Sequence, residues 1–307
     1  MREILRYFPS RVAKELEIRI GTNWEKLEEI RIRVDKPIII KFNNYEKIID
    51  INITLDNILE IMQYICDNSV YSYQGQICNG FITIKGGHRV GICGSCVVEN
   101  GKVININYIS ALNFRIAKQI KGAADIIIPN VLDIKNNTVH NTLIVSPPGS
   151  GKTTILRDLI RQISNGIPEC NFNGMTVGVV DERGEIAAVY RGVAQNDLGI
   201  RTDVIDNIPK AIGMKLLIRS MSPQVIIADE IGGKQDVKAI NYATCSGVKG
   251  IFTAHGKSIE DIKLNETLNK LMNTHIVENI IFLNENEKGK IDMFYTLDKI
   301  KKEYISY

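Results

Sequence analysis

The sequence predicts a two-part chain, an α/β second half built around a phosphate-binding loop and a smaller N-terminal α+β domain ahead of it. Three observations predict this. Residues 141–253 alternate short apolar strands with helices, the rhythm of a parallel sheet covered on both faces. Ser146-Pro147-Pro148-Gly149-Ser150-Gly151-Lys152-Thr153-Thr154 falls between one such strand and one such helix, where a loop can cradle phosphate. The 307 residues, 44% hydrophobic and 24% charged, have a globular composition and room for two domains of about 150 residues, which excludes disordered and fibrous chains.

A formal net charge of +3 is too small for a dedicated duplex binder. The opening segment, Met1 to Pro9, has charges inside its only apolar stretch and so is not read as a signal peptide. Apolar runs stop at about four residues, far below the roughly 20 that a membrane-spanning helix needs. The expectation is a cytoplasmic chain that does not insert directly into a membrane. Six scattered cysteines do not make a disulfide scaffold. Cys93-Gly94-Ser95-Cys96 with Cys78 and His88 could supply four zinc ligands, but the gap from Cys78 to Cys93 lacks the usual paired knuckles. Reduced thiols on a β-hairpin are the expected reading.

Local pattern justifies each element in turn. Residues 25–31, with Leu27 and Ile30 three apart, read as a helix, and Lys36-Pro37 stops it before a strand over 38–42. Residues 56–66 read as an amphipathic helix with Ile58, Leu59, Met62 and Ile65 on one face and Leu55 just before it. Residues 80–93 form two strands across Lys85-Gly86-Gly87, and 97–106 a third with a turn at Glu99-Asn100-Gly101. The polar stretch 130–141 is the expected connection, giving domains over 1–130 and 131–307. Beyond it come a strand at 141–145, a helix from Lys152 to about Gln162 closed by Asn165-Gly166 and Pro168, and a strand at 176–180. A helix near 208–221, a strand at 225–228, a helix near 235–246 and a strand at 250–253 complete the alternation.

The loop matches G-x-x-x-x-G-K-[ST], the Walker A spacing, with Ser146 in the place of the first glycine. Gly149 and Gly151 allow the backbone to turn its N–H groups inward at a helix N-terminus. Lys152 then meets the β/γ oxygens of ATP and Thr153 the Mg²⁺ ion. Val225-Ile226-Ile227-Ala228 ends in two acids, Asp229 for the metal and Glu230 to take a proton from the attacking water. Asp181 and Glu182 end another strand, and either can orient that water or the metal. The alternative is an exposed charged turn with Arg183 paired to one acid. His255, at the end of the next strand, is either a hydrogen-bond partner of the γ-phosphate or a buried structural histidine.

With these residues assembled, the sequence resembles the secretion ATPases of type II and type IV systems, and more closely the stage III sporulation protein AA family. The resemblance runs from about residue 80 onward. It is carried by Gly86-Gly87-His88-Arg89-Val90-Gly91, Leu112-Asn113-Phe114-Arg115-Ile116-Ala117, Lys121-Gly122-Ala123-Ala124-Asp125 and the phosphate loop. Asp181-Glu182-Arg183-Gly184-Glu185-Ile186-Ala187, Gln195 to Asp203 and Ile218 to Val225 extend it. The resemblance implies a P-loop NTPase core of the RecA-like/AAA type, hydrolysis of ATP with Mg²⁺, and a ring, a homo-hexamer. It also implies membrane proteins of a sporulation channel as partners, on the mother-cell side of the forespore membrane. Rings complete each site with an arginine from a neighbour; Arg89, Arg115, Arg191, Arg201 and Arg219 are candidates. Arg115 leads, because it lies where secretion ATPases place phosphate-reaching arginines. The expected site is then Glu230, Glu182, His255 and Arg115 for catalysis, with Thr153, Asp229 and Asp181 on the metal. Two other classes stand beside this motor reading. One is a nucleic-acid-dependent ATPase using Arg2, Arg6, Arg11, Lys14, Arg31 and Arg33. These alternate with Glu3, Glu15, Glu17, Glu28 and Glu29, so no basic stripe forms and nucleic acid is not the expected partner. The other is a nucleotide-binding scaffold that hydrolyses little.

Overall fold

The computed structural model describes residues 2–287 and 289–306. They separate into two compact units: the chain up to Lys118 together with Ala188–Gln195, and Gln119–Ala187 together with Asn196–Tyr307. The division thus falls at 118/119 rather than at 130/131, and a short excursion from the second half belongs to the first unit. The polar stretch over 130–141 is not a free connection. It folds within the second unit as a short helix and a two-stranded ribbon.

The first unit is a six-stranded antiparallel sheet, β1 (Leu27–Arg33), β2 (Ile38–Phe42), β3 (Tyr45–Ile49), β4 (Phe81–Thr83), β5 (Arg89–Glu99) and β6 (Lys102–Arg115), in the order β3-β2-β1-β6-β5-β4. Helices α1 (Ser10–Ile20), α2 (Leu55–Ile65) and α3 (Gln74–Cys78) complete it, and Leu16, Ile20, Leu27, Ile30, Ile32, Ile58, Ile65 and Phe114 share one core. The helix expected over 25–31 is strand β1. A bulge between Leu27 and Glu29 shifts its register against β2, so Leu27 and Ile30 both turn inward although they are three apart. That bulge imitates helical spacing. In α2, Thr54 caps the helix by exchanging hydrogen bonds with Asn57. The buried face is Ile58, Ile61, Met62 and Ile65; Leu55 and Leu59 stand exposed, one helical position off the expected stripe.

The β4–β5 turn explains its glycine-histidine motif. Gly86 has φ +86°, and a Cβ there would lie 3.0 Å from the His88 ring. His88 is buried beneath the turn, and its Nδ1 accepts the Ala117 N–H at 3.1 Å, leaving it as a packed residue and not a metal ligand. Burial pushes its imidazole from the ordinary 6.5 down to about 4. The folded chain therefore keeps His88 neutral while the unfolded chain takes up a proton below about 6.5. Stability is complete above that pH and falls by about 3 kcal/mol as pH drops toward 4. Urea unfolding at pH 7.0, 5.5 and 4.5 should show this slope in the wild type and a shallower one in His88→Gln; equal slopes would refute it.

The second unit begins with α4 (Ile128–Val131) and the ribbon β7 (Leu132–Asp133) and β8 (Thr138–Val139). Its main elements are β9 (Thr142–Ser146) and α5 (Lys152–Asn165), then the ribbon β10 (Gly166–Ile167) and β11 (Phe172–Asn173). There follow β12 (Val177–Asp181), β13 (Thr202–Asp206), α6 (Lys210–Met221), β14 (Val225–Ala228), α7 (Lys234–Cys245) and β15 (Lys249–His255). The chain closes with α8 (Ile259–Leu264), α9 (Glu266–Met272), β16 (Asn279–Leu283), β17 (Ile291–Asp298) and β18 (Glu303–Ser306). The sheet order is β13-β12-β14-β15-β9-β16-β17-β18. Its first six strands run parallel, and β17 and β18 are antiparallel additions. Strands β9, β12, β14 and β16 are buried at every position, which is why they read as continuous apolar runs. Leu143, Val145, Ile226, Ala228, Phe252 and Ala254 pack with α6, α7 and α9 on one face. The α/β reading of this half holds, while β13 and everything after β15 lie outside the foreseen pattern.

Two ends of this sheet differ in chemistry. Where β9, β15 and β16 begin, Glu278 accepts from Lys249, Lys299 and the Asn141 N–H. Burial would raise its carboxyl, but these three donors hold it down to about 2. The opposite end, where β9, β12, β14 and β15 finish, gathers the motif residues. Among the described residues, no helix is long and apolar enough to cross a membrane.

Candidate active site

The phosphate loop leaves β9 at Ser146 and enters α5 at Lys152. Gly149 and Gly151 have φ of +83° and +91° with open space around a would-be Cβ, so backbone conformation and not crowding requires glycine there. Ser146, in the first glycine's place, is fully buried. Its hydroxyl donates to Pro147 O at 3.0 Å, and Ser150 Oγ donates to the same carbonyl at 3.2 Å. The buried Lys152 ammonium donates to Ser146 O at 2.8 Å, Pro147 O at 3.1 Å and Ser146 Oγ at 3.2 Å. Burial lowers the Lys152 ammonium from its usual value, against the opposing pull of Asp229 and Glu230. Pro148 and Gly149 are exposed at the loop's crest, and Thr154 lies in the first turn of α5.

Register brings the other residues to this loop. His255 of β15 lies opposite Ser146 of β9, and β14 runs beside β15. Thr153 Oγ1 donates to Asp229 Oδ2 at 2.9 Å. The far oxygen of Asp229 accepts from Thr253, whose hydroxyl oxygen accepts the Glu230 N–H at 2.7 Å. Those bonds hold Glu230 in the left-handed region at φ +52°, a conformation costing on the order of 1 kcal/mol or more that concentrates at functional sites. Lys152 Nζ lies 3.2 Å from His255 Nδ1, and His255 Nε2 lies 3.1 Å from Glu230 Oε1. An ammonium only donates, so Nδ1 accepts and Nε2 carries the proton that it donates to Glu230. His255 is 47% exposed. It is therefore not the buried structural residue of the alternative reading.

Strand β12 delivers its two acids differently. Asp181 is buried, and its carboxylate accepts the backbone N–H groups of Glu185, Ile186 and Ala187 at 2.8–3.1 Å. Both oxygens shape the loop, a different job from the place on the metal expected for Asp181. Asp181→Asn should cost about 2–3 kcal/mol of stability, the worth of charge-assisted bonds to a carboxylate. Urea unfolding checks this; an unchanged midpoint with weakened metal binding would restore the metal role. Glu182 instead faces a cleft with Arg183, Lys210, Asp229 and Glu230, where Lys210 pairs with Glu182 and Arg183 with Glu230. The sequence alone singles out neither pairing, nor Thr253, since the partners arrive from separate elements: Lys210 from the start of α6, Arg183 from the loop after β12 and Thr253 from β15.

Of the arginine candidates, Arg201 donates to Ser164 O at 2.8 Å and a Cβ on Gly174 would touch its guanidinium, so it is a packing residue. Arg191 is paired with Asp67 in the first unit. Arg219 lies over the Tyr242 ring and Arg89 over Phe81. Arg115 ends β6 exposed, in register with Glu29 of β1.

The Thr153 hydroxyl and the Asp229 carboxylate are hard oxygen donors side by side, as Mg²⁺ prefers. Among the described residues no three His, Cys, Asp or Glu side chains gather to hold a metal by themselves. An ion here would complete its shell with water and phosphate.

Comparisons with known proteins bear on the family and the fold. The family model for sporulation stage III, protein AA, matches residues 1–301. The stage III sporulation protein AA of Bacillus subtilis (strain 168) is 36% identical over 299 residues, covering 97% of this chain and 96% of the relative. Among solved structures, the Legionella pneumophila ATPase DotB is similar with a TM-score of 0.56 and 14% identity, over 98% of this chain and 80% of its own. The pilus retraction motor PilT with bound ADP has a TM-score of 0.58 and 15% identity, over 95% and 80%. At such identities these two likenesses bear on the fold, which is that of the P-loop ATPases.

Proposed function

As the chain belongs to the stage III sporulation protein AA family, we propose that it hydrolyses ATP to ADP and phosphate and works as the motor of a secretion-like channel between mother cell and forespore. The observation that carries this reading is the meeting of Lys152 and Thr153 with Asp229, Glu230 and His255 at adjoining strand ends, joined by contacts of 2.9–3.2 Å. In this reading the loop over Ser146–Thr154 holds the phosphates and Lys152 neutralises the β/γ oxygens. Mg²⁺ held by Thr153 and Asp229 would supply further charge neutralisation. Glu230 accepts the proton of the attacking water, His255 orients Glu230 and reports on the γ-phosphate, and Glu182 with Lys210 shapes the cleft where that water sits.

The ring belongs to the same proposal. A homo-hexamer on the mother-cell cytoplasmic face, recruited by membrane proteins of the channel, would place the exposed Arg115 against a neighbour's phosphates. The test is phosphate release across protein concentrations with sizing alongside. Release should rise with assembly. Mixing Arg115→Ala with Lys152→Ala chains should restore part of the activity that each lacks alone, because some sites then hold an intact loop and an intact arginine. Release that is equal in the wild type and Lys152→Ala at every concentration would sink the motor.

A further inference from the structure

The acidic loop after β12 carries a cation that the proposed reaction has not used. Its backbone is anchored on both sides. Gly184 N–H donates to Asp181 O at 3.3 Å, and the Asp181 carboxylate holds the amides of Glu185 to Ala187. Arg183 projects from this fixed turn to Glu230 at the end of β14, 47 residues away in sequence. Glu230 is thus gripped on both oxygens, by His255 at Oε1 and by Arg183 at Oε2. Through Glu230 and His255, Arg183 is joined to Lys152.

The other cations around this cleft are held more deeply. Lys152 is buried on loop carbonyls, Lys210 is only 12% exposed and paired with Glu182, and Arg157 donates two hydrogen bonds to Glu185 O. The Arg183 side chain is 65% exposed. It therefore has the room to turn about its anchored backbone. The γ-phosphate offers a guanidinium two oxygens in the geometry of its fork and more charge than a single carboxylate, which favours it over Glu230 as the partner of Arg183. ADP, lacking that phosphate, does not.

Resting on the ATPase reading, we propose that Arg183, in addition to His255, distinguishes ATP from ADP: it moves from Glu230 to the γ-phosphate, and in leaving frees one oxygen of Glu230 to accept a proton. Base and substrate recognition are then coupled within one protomer. No covalent bond is made or broken in this step; the pairing with Glu230 is exchanged for one with the γ-phosphate.

The test compares equilibrium binding of a non-hydrolysable ATP analogue and of ADP, each with Mg²⁺, to full-length wild type, Arg183→Ala, Arg183→Lys and Glu230→Gln. Arg183→Ala should weaken the analogue about tenfold or more and leave ADP within about twofold, with Arg183→Lys between them. Glu230→Gln, which removes the competing carboxylate charge, should bind the analogue several-fold more tightly than wild type and ADP equally. Equal losses for both nucleotides in Arg183→Ala, or no loss for either, would overturn the role of Arg183 while leaving the ATPase reading intact. A wild type that binds neither nucleotide would overturn the ATPase reading, and this proposal with it. Circular dichroism of each variant separates a local effect from misfolding.

Discussion

Lys152→Ala is expected to lower ATP turnover by about 10²–10³-fold or more, the cost of removing a preorganised cation from a developing phosphoryl charge, and to weaken nucleotide binding. The ammonium sits between two loop carbonyls, the Ser146 hydroxyl and His255, so nothing else in the second unit's loop can supply a cation at that point. The fold should survive. Burying an ammonium is itself costly, so its removal relieves a desolvation penalty while taking one donor each from Ser146 O, which keeps the Gly256 N–H, and Pro147 O, which keeps the Ser146 and Ser150 hydroxyls. These effects oppose each other, and the net change in stability should stay within about 1–2 kcal/mol. Phosphate release, nucleotide binding and thermal unfolding on the same preparation check the three statements together. Turnover near the wild-type rate would mean that the loop does not hold the reacting phosphates.

Glu230→Gln should have the second largest effect: turnover down by about 10²–10⁴-fold with nucleotide still bound, the usual span for losing a general base. Glutamine keeps the length and its single carbonyl oxygen can still accept from His255, while its NH2 group faces Arg183 and gives up that pairing; the backbone at φ +52° remains pinned through its N–H to Thr253. What it lacks is a basic oxygen. Single-turnover hydrolysis with prebound ATP isolates this step from binding and release. A rate within about threefold of wild type would remove Glu230 from the base role and turn attention to Glu182, another of the acids lining the cleft. Comparison with Asp181→Asn is informative, since that variant should lose stability first. In the proposed reading Asp181 carries the loop and Glu230 the chemistry.

How much of this could be read without coordinates follows from the range of each interaction. The phosphate loop was legible because everything it requires lies within nine residues: glycines for positive φ, a helix N-terminus, a lysine and a hydroxyl. The strands ending in Asp229, Asp181 and His255 were legible because a strand buried on both faces must be apolar throughout, and in a parallel sheet their ends converge. Residues 25–31 misled because a β-bulge and a helix turn both place apolar side chains three apart, and only pairing with β2 and β6 decides between them.

The sequence by itself thus determined the second unit's fold class, the loop and the strand ends where the acids and the histidine gather. The tertiary structure decided which partners each acid meets. The Asp181 and Glu230 carboxylates both follow apolar strands, yet one closes on amides four to six residues ahead and the other meets partners from β15 and from the loop after β12. Tertiary structure likewise set Thr153 against Asp229, 76 residues on, and assigned Ala188–Gln195 to the first unit. The physical reason is common to all of these. Backbone conformation and burial are local demands that a short stretch of sequence must satisfy alone. A side chain's hydrogen-bond partner depends instead on which strands lie adjacent and in what register, and β14 and β15 come between segments that are distant along the chain.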